Sequence, residues 1–312
     1  MLPFGYISLP AIFRLLLSFN LDEPTSKNGI FTMKKHILLI VAAALLMSSC
    51  VKEKLTGVEA TKTFDVPGWY DELSVSNNIS VSFSDQVELV TVTADEGIIS
   101  NFEMKLVEGE LKMYRKQIFD FLPSPIRVLL PCNAQLREVN LSGTSSFNGD
   151  LEADEIEIAA SGSSLFKGNL SANEIDVSLS GGSSVTANSL IASKLDLDLS
   201  GGSSVTANSL IASKLDLDFS GASWAQLNGS VENLELDFTG ASELRTEVVD
   251  HVYAFACMNC ESALSGASKA NLHCDGRIYG SLSGSSEIRY TGNADTENCH
   301  LSGGSRVIHK TF

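Results

Sequence analysis

From Leu141 onward, apolar and polar residues alternate about a marker that recurs at near-constant spacing. The marker is a Ser-Gly or Thr-Gly pair: Ser142-Gly143, Ser161-Gly162, Ser180-Gly181, Ser200-Gly201, Ser220-Gly221, Thr239-Gly240, Ser265-Gly266, Ser283-Gly284 and Ser302-Gly303. Successive pairs lie 19, 19, 20, 20, 19, 26, 18 and 19 residues apart, and a serine stands three residues after every start, from Ser145 to Ser305. One residue before the marker and five after it the side chains are apolar in every repeat, and three and five before it in most, as in Leu199, Val205, Leu197 and Leu195. Odd offsets place these residues on one face of extended strands. The glycine supplies the left-handed backbone of a turn, and the following serine caps it through a local hydrogen bond or one to the next repeat.

Residues 180–198 recur letter for letter as 200–218. A globular core cannot absorb twenty additional residues without repacking, whereas a solenoid adds a rung that repeats its neighbours' contacts. The pattern therefore predicts an all-β chain: a right-handed parallel β-helix of about 19–20-residue rungs, one full coil per repeat, over residues 136–312. A half-coil insertion would swap the two sides of everything downstream, and the duplication leaves the ladder in phase.

Upstream, period-two alternation over Leu73–Phe83, Val87–Val92, Phe102–Leu106 and Glu110–Tyr114 predicts strands with one buried face. Asp85-Gln86 and Glu108-Gly109 read as turns, Asp95–Asn101 as one helical turn, and Ile126–Leu130 as a strand between prolines. Residues 64–135 are expected to form an irregular, strand-rich cap closing the first rung, with a separate small β domain as the alternative. Residues 50–63 read as a tether.

The N-terminus carries an address. After Met33 come Lys34 and Lys35, an apolar run from Ile37 to Met47, and Ser48-Ser49-Cys50. A basic head, a short apolar core and small residues before a cysteine describe a secretory signal over residues 33–49, and the run is too short to span a bilayer. The ending resembles a bacterial lipobox, which makes Cys50 the lipidated residue and the membrane a partner through its anchor. That implies an outer-membrane lipoprotein of a Gram-negative envelope, with the periplasmic or surface face open. Residues 1–32 carry no such pattern and read as a mis-assigned start or an extension.

Charge narrows the partners. The chain has 38 acidic and 22 basic residues, a formal net charge of −16, which argues against nucleic acid. Acidic residues gather at even, outward offsets: Glu157, Asp176, Asp196, Asp216 and Glu235, with Asp198, Asp218 and Asp237 beside them. Stacked like charges are either solvated or neutralised. Asp196, Asp198, Asp216 and Asp218 are the weak candidate for a calcium ladder, and a solvated edge that protects the sheet is favoured over it.

The lipobox, the irregular strand-rich start and the repeated Ser-Gly-x-Ser turns together resemble the head GIN domain family of putative auto-transporter adhesins, from about Phe64 to the C-terminus. The resemblance implies a fold similar to pectin-lyase-type β-helices and an adhesive role, and it brings no catalytic residues.

The remaining candidates are few. Cys257 and Cys260 form a CxxC in the 26-residue interval. Cys260 and Cys299 stand at core offsets, where a small buried hydrophobe is the better reading. A Cys257–Cys260 disulfide in an oxidising compartment is in turn favoured over a metal site with Cys274, Cys299, His273 and His300. Arg245, Asp250 and His251 in the same interval make no constellation, and no residue is assigned to catalysis. Trp224 occupies an outward position where it could stack on a glycan or anchor a protein. The expected function is thus a non-catalytic, adhesin-like binding module without a cofactor. The alternatives are a structural envelope spacer or a carbohydrate-active β-helix enzyme, and self-association is left open.

Overall fold

The computed structural model describes residues 55–116 and 124–312. The extension, the signal segment and Cys50 lie outside the described residues. No helix among the described residues is long and apolar enough to cross a membrane.

The chain winds into an all-β solenoid of about nine turns, one coil per repeat. The duplicated segments form two strands, Ser184–Leu199 and Ser204–Phe219, which pair in parallel and in register, Val185 on Val205 and Leu195 on Leu215. Each coil has three sides. One ends at the Ser-Gly turn, one follows it, and a short third side returns through residues such as Leu170, Leu190 and Leu210. The odd-offset residues stack inside: Leu195, Leu215, Val205 and Phe219 are fully buried, and the Phe219 and Phe238 rings stack at 4.6 Å and 2°. The last rung is the exception, with Leu301 49% exposed because no coil covers it.

Stacking explains the marker. Gly181 and Gly201 hold φ at 75° and 74°, backbone that L residues avoid. From Gly182 to Gly304, the residue after the marker glycine donates its N–H to the glycine carbonyl one rung earlier, as Gly202 to Gly181 and Ala222 to Gly201 at 2.7 and 2.8 Å. The third-position serines are buried, and each from Ser164 to Ser305 donates its hydroxyl to the carbonyl of the residue that opens its own turn. Of the two roles open from sequence, the local cap is the one present in all eight.

The base of the solenoid is built out of chain order. It contains β1 (Glu59–Phe64), β2 (Glu72–Ser76), β3 (Ile79–Ser84), β4 (Val90–Asp95), a 3-10 turn at Ile99–Asn101, β5 (Phe102–Val107), β6 (Glu110–Arg115) and β7 (Ile126–Pro131). Next come β8 (Glu138–Ser142) and β9 (Ser146–Asn148), which belong to the first marked rung. The pair β2 and β3 lies between β6 and β7 on one side and β8 and β9 on the other, all in parallel. Antiparallel strands close the end: β5 on β6, β4 on β7, and β1 on β4. Among the described residues strand structure thus begins at Glu59, inside the stretch expected to be a tether. The segment Leu73–Phe83 is two strands rather than one, broken at Asn77-Asn78, where φ is 66° and 61°. These two asparagines are stacked against Gly143 and Thr144 of the next turn: Asn78 donates its N–H to the Gly143 carbonyl at 3.2 Å. Asparagine tolerates the left-handed region, so Asn77-Asn78 is a corner of the same kind without the Ser-Gly letters.

The 26-residue interval holds a two-stranded antiparallel hairpin, Val248 on Tyr253 and Val249 on Val252. Asp250 and His251 form its tip, both with positive φ, 49° and 69°. They are turn residues, separated from Arg245 by a strand of the hairpin.

Candidate functional site

Three surface features and one buried cluster carry chemistry. The first is a groove of about 910 Å³ along the corner between the post-turn and third sides. Its origin is a one-residue difference in rung length. Between the aligned positions Lys167 and Leu170 the corner holds Gly168 and Asn169, whereas between Thr186 and Leu190 it holds Ala187, Asn188 and Ser189. The longer rung stands out as a wall, topped by Ile191, which is 46% exposed. Phe83 and the Cys132–Ala134 segment form the opposite wall. Gly149 in the lining leaves no room for a side chain: a Cβ there would fall 2.6 Å from a Phe83 ring carbon. Asp150 accepts the Asn169 backbone N–H at 2.7 Å, and the Asn169 side-chain oxygen accepts that of Ser189 at 3.0 Å. Those bonds fix the lining, while Asn148 and Glu152 project into solvent along the groove. Rung-length differences are visible in the marker spacing; the shape they produce is not.

The second feature is Trp224. It faces outward on the post-turn side, half-buried, between Ser204 and Glu243 in neighbouring rungs. The Arg245 guanidinium lies 4.6 Å from the ring centroid and is held by Glu243 at 2.9 Å. One ring face is therefore already engaged in a cation–π contact.

The third is the acidic column. Register extends it beyond the five carboxylates singled out from sequence, to Glu110, Glu72, Glu138, Glu157, Asp176, Asp196, Asp216, Glu235 and Glu261, each directly paired with the next. Glu72 and Glu110 escape the marker offset because they belong to the interleaved base. Burial, then the neighbouring carboxylates, raise the pKa values of Glu72, Glu157 and Asp176. Asp218, in the flanking Asp198–Asp218–Asp237 column, is raised by burial and then by Asp237 and Asp198. Glu174, Asp176 and Asp196 bring carboxylate oxygens within 4.8 Å of one another. Lys194 reaches into that triplet, 2.8 Å from Glu174 and 2.5 Å from Asp196. Lys214 repeats the arrangement against Asp216 at 2.6 Å and Glu235 at 3.4 Å. The lysines thus neutralise part of the ladder from within the chain.

The buried cluster is made of thiols. Cys257 and Cys260 are not joined; the five described cysteines, Cys132, Cys257, Cys260, Cys274 and Cys299, are all free. The two residues flank a coil corner, in line with Val231 and Leu234 of the preceding rung. His273 points away from Cys274 and is held by Thr291 and Asp275, each at 3.0 Å.

The profile of one family matches residues 69–228 and 185–294: putative auto-transporter adhesin, head GIN domain. The chain belongs to this family. The two matches overlap on the duplicated rungs, as expected of a repeat that aligns with itself. A putative adhesin from Parabacteroides merdae ATCC 43184 shares the fold at 19% identity and TM-score 0.58, covering 82% of this chain and 98% of that one. A putative lipid binding protein from Parabacteroides distasonis ATCC 8503 does so at 18% identity and TM-score 0.58, with the same coverage. A putative adhesin from the same organism aligns at 18% identity and TM-score 0.51, over 82% of this chain and 96% of that one. No curated protein matches the chain in sequence.

Proposed function

We propose that this protein is a cell-envelope lipoprotein, anchored in the outer membrane through Cys50, that works as a non-catalytic, adhesin-like binding module. The observation that carries the binding role is the corner groove: polar side chains are mounted beside Phe83 and Ile191 on a backbone fixed by rung-to-rung hydrogen bonds. Such a surface can hold an extended ligand without rearranging. The family description and the adhesins of the same fold support this reading, and the relative described as a lipid binding protein adds lipid to the ligands worth testing. The carboxylates form a regular column partly paired with lysines rather than a convergent acid–base pair, which favours binding over catalysis.

The test is a panel of glycans, envelope proteins and lipid vesicles presented to the protein and to two variants. Asn148→Ala with Glu152→Ala removes exposed groove side chains, and Trp224→Ala removes the indole. Binding lost only in the groove variant supports the reading. Loss only with Trp224→Ala moves the site to the post-turn side, and no binding across the panel favours an envelope spacer. Globomycin-sensitive processing and labelling of Cys50 by a fatty-acid probe test the anchor.

A further inference from the structure

Three thiols converge inside the solenoid just beyond the hairpin. Cys257 continues a column of small interior residues, Ala192, Ala212 and Val231, while Cys260 continues Leu195, Leu215 and Leu234. One rung further, Cys274 is the direct parallel partner of Cys257. The exposures are 5%, 0% and 0% for Cys257, Cys260 and Cys274, and the Cys274 thiol donates to the carbonyls of Met258 at 3.4 Å and Arg277 at 3.6 Å.

Paired residues on adjacent strands stand about 4.8 Å apart with side chains on the same face. That separation lies within the Cα range of about 4.4–6.8 Å that a disulfide requires. Cys257 and Cys260 are three residues apart along the chain, a span of up to about 10 Å when extended, so a bond between them needs the corner to tighten. The register also slips between the two rungs after Cys257, at the step to Asn259. This is one of the irregular joints of the ladder, and a covalent tie there holds rungs that backbone pairing holds less regularly.

We propose that Cys257 and Cys274 form an inter-rung disulfide, leaving Cys260 as a buried thiol beside it. The bond forms by exchange with a small-molecule or protein disulfide. One cysteine thiolate attacks the oxidant's S–S bond to give a mixed disulfide, and the second displaces the oxidant's remaining sulfur. The new S–S bond replaces the old one, the two electrons end on the oxidant as a pair of thiols, and the two cysteine protons go with them. Burial of all three sulfurs places the exchange during folding, before these rungs close.

The full chain is refolded with glutathione and glutathione disulfide, then denatured without reductant in an alkylating agent and digested. The expected result is a linked pair of peptides containing Cys257 and Cys274, 2 Da lighter than their sum, with Cys260 alkylated. A Cys257–Cys260 link, or three alkylated cysteines, overturns the proposal. Melting provides a second reading. Reductant should lower the Tm of the wild type and of Cys260→Ser by on the order of 5 °C, and leave Cys257→Ser and Cys274→Ser unmoved. A wild-type Tm indifferent to reductant overturns the proposal as well.

Discussion

Gly201 is stacked directly on Gly181: a Cβ added to Gly201 would lie 2.8 Å from the Gly181 carbonyl oxygen, and the two residues hold φ at 74° and 75°. Strain and close approach therefore act at the same atom. Gly201→Ala is expected to cost about 3 kcal/mol and to show as a clear fall in Tm. Gly202→Ala is the control, because its Cβ would stand 3.6 Å from the nearest atom, and Ala222 and Ala241 already occupy the equivalent place. Equal losses from the two substitutions would show that the turn glycine is not the constraint.

The buried serines set a second expectation. Ser203→Ala removes the hydroxyl that bonds the Ser200 carbonyl at 2.5 Å and leaves that acceptor with one partner fewer in a dry corner. The expected loss is about 1–2 kcal/mol, measured by denaturant unfolding. Ser204→Ala, one residue on and outward-facing, should be close to neutral.

A full rung is the unit of insertion and removal. Deleting residues 180–199 rejoins Leu179 to Ser200 and restores the alignment with one coil fewer. The product should fold, with the same far-ultraviolet β signature and a smaller unfolding m-value. Deleting residues 180–189 instead removes the turn and the side that follows it while keeping the rest of the coil, and should give an aggregating chain.

Acid should stabilise the protein before it destabilises it. The carboxyls of Glu72, Glu157, Asp176 and Asp218 have raised pKa values, chiefly through burial. The folded chain then binds more protons than the unfolded one in the window between the unfolded and folded values, so stability rises as pH falls through it. Three groups act in the opposite sense. Asp95 is held low first by the Thr56 backbone N–H, Asp275 by His273, and Glu103 falls to about 2 through Lys116 and Tyr114. Their contribution fades below the ordinary carboxylate range. Tm should therefore peak near about pH 4–5, and Asp176→Asn should flatten the rise. A Tm falling steadily from pH 7 downward contradicts this account.

The array was legible in the sequence because its turn has one chemical solution. Where the rungs stack glycine on glycine, positive φ coincides with a carbonyl packed against Cα, so the marker recurs at that corner throughout the array. The base was less legible for two reasons. Asn77-Asn78 makes the corner with different letters, and the order of strands in the stack departs from their order in the chain. Glu72 and Glu110 joined the acidic column only once that order was known. The groove follows from a single extra residue per duplicated rung, a number visible in the spacing whose consequence depends on which of three corners receives it. The contact of Cys257 with Cys274 was hidden for a related reason: the hairpin breaks the count, and only the register restores it.

The interleaving of β2 and β3 between β6 and β7 and the first marked rung also sets an order of assembly. The earliest of these strands to leave the ribosome or a translocation pore has no seat until residues 110–131 arrive to form the layer on its other side. Every later rung meets a finished template when it emerges. Growth along the array is therefore vectorial, but its starting block must be delivered whole. Truncations from the C-terminal end should shorten the protein, whereas a cut anywhere in residues 59–131 should abolish it.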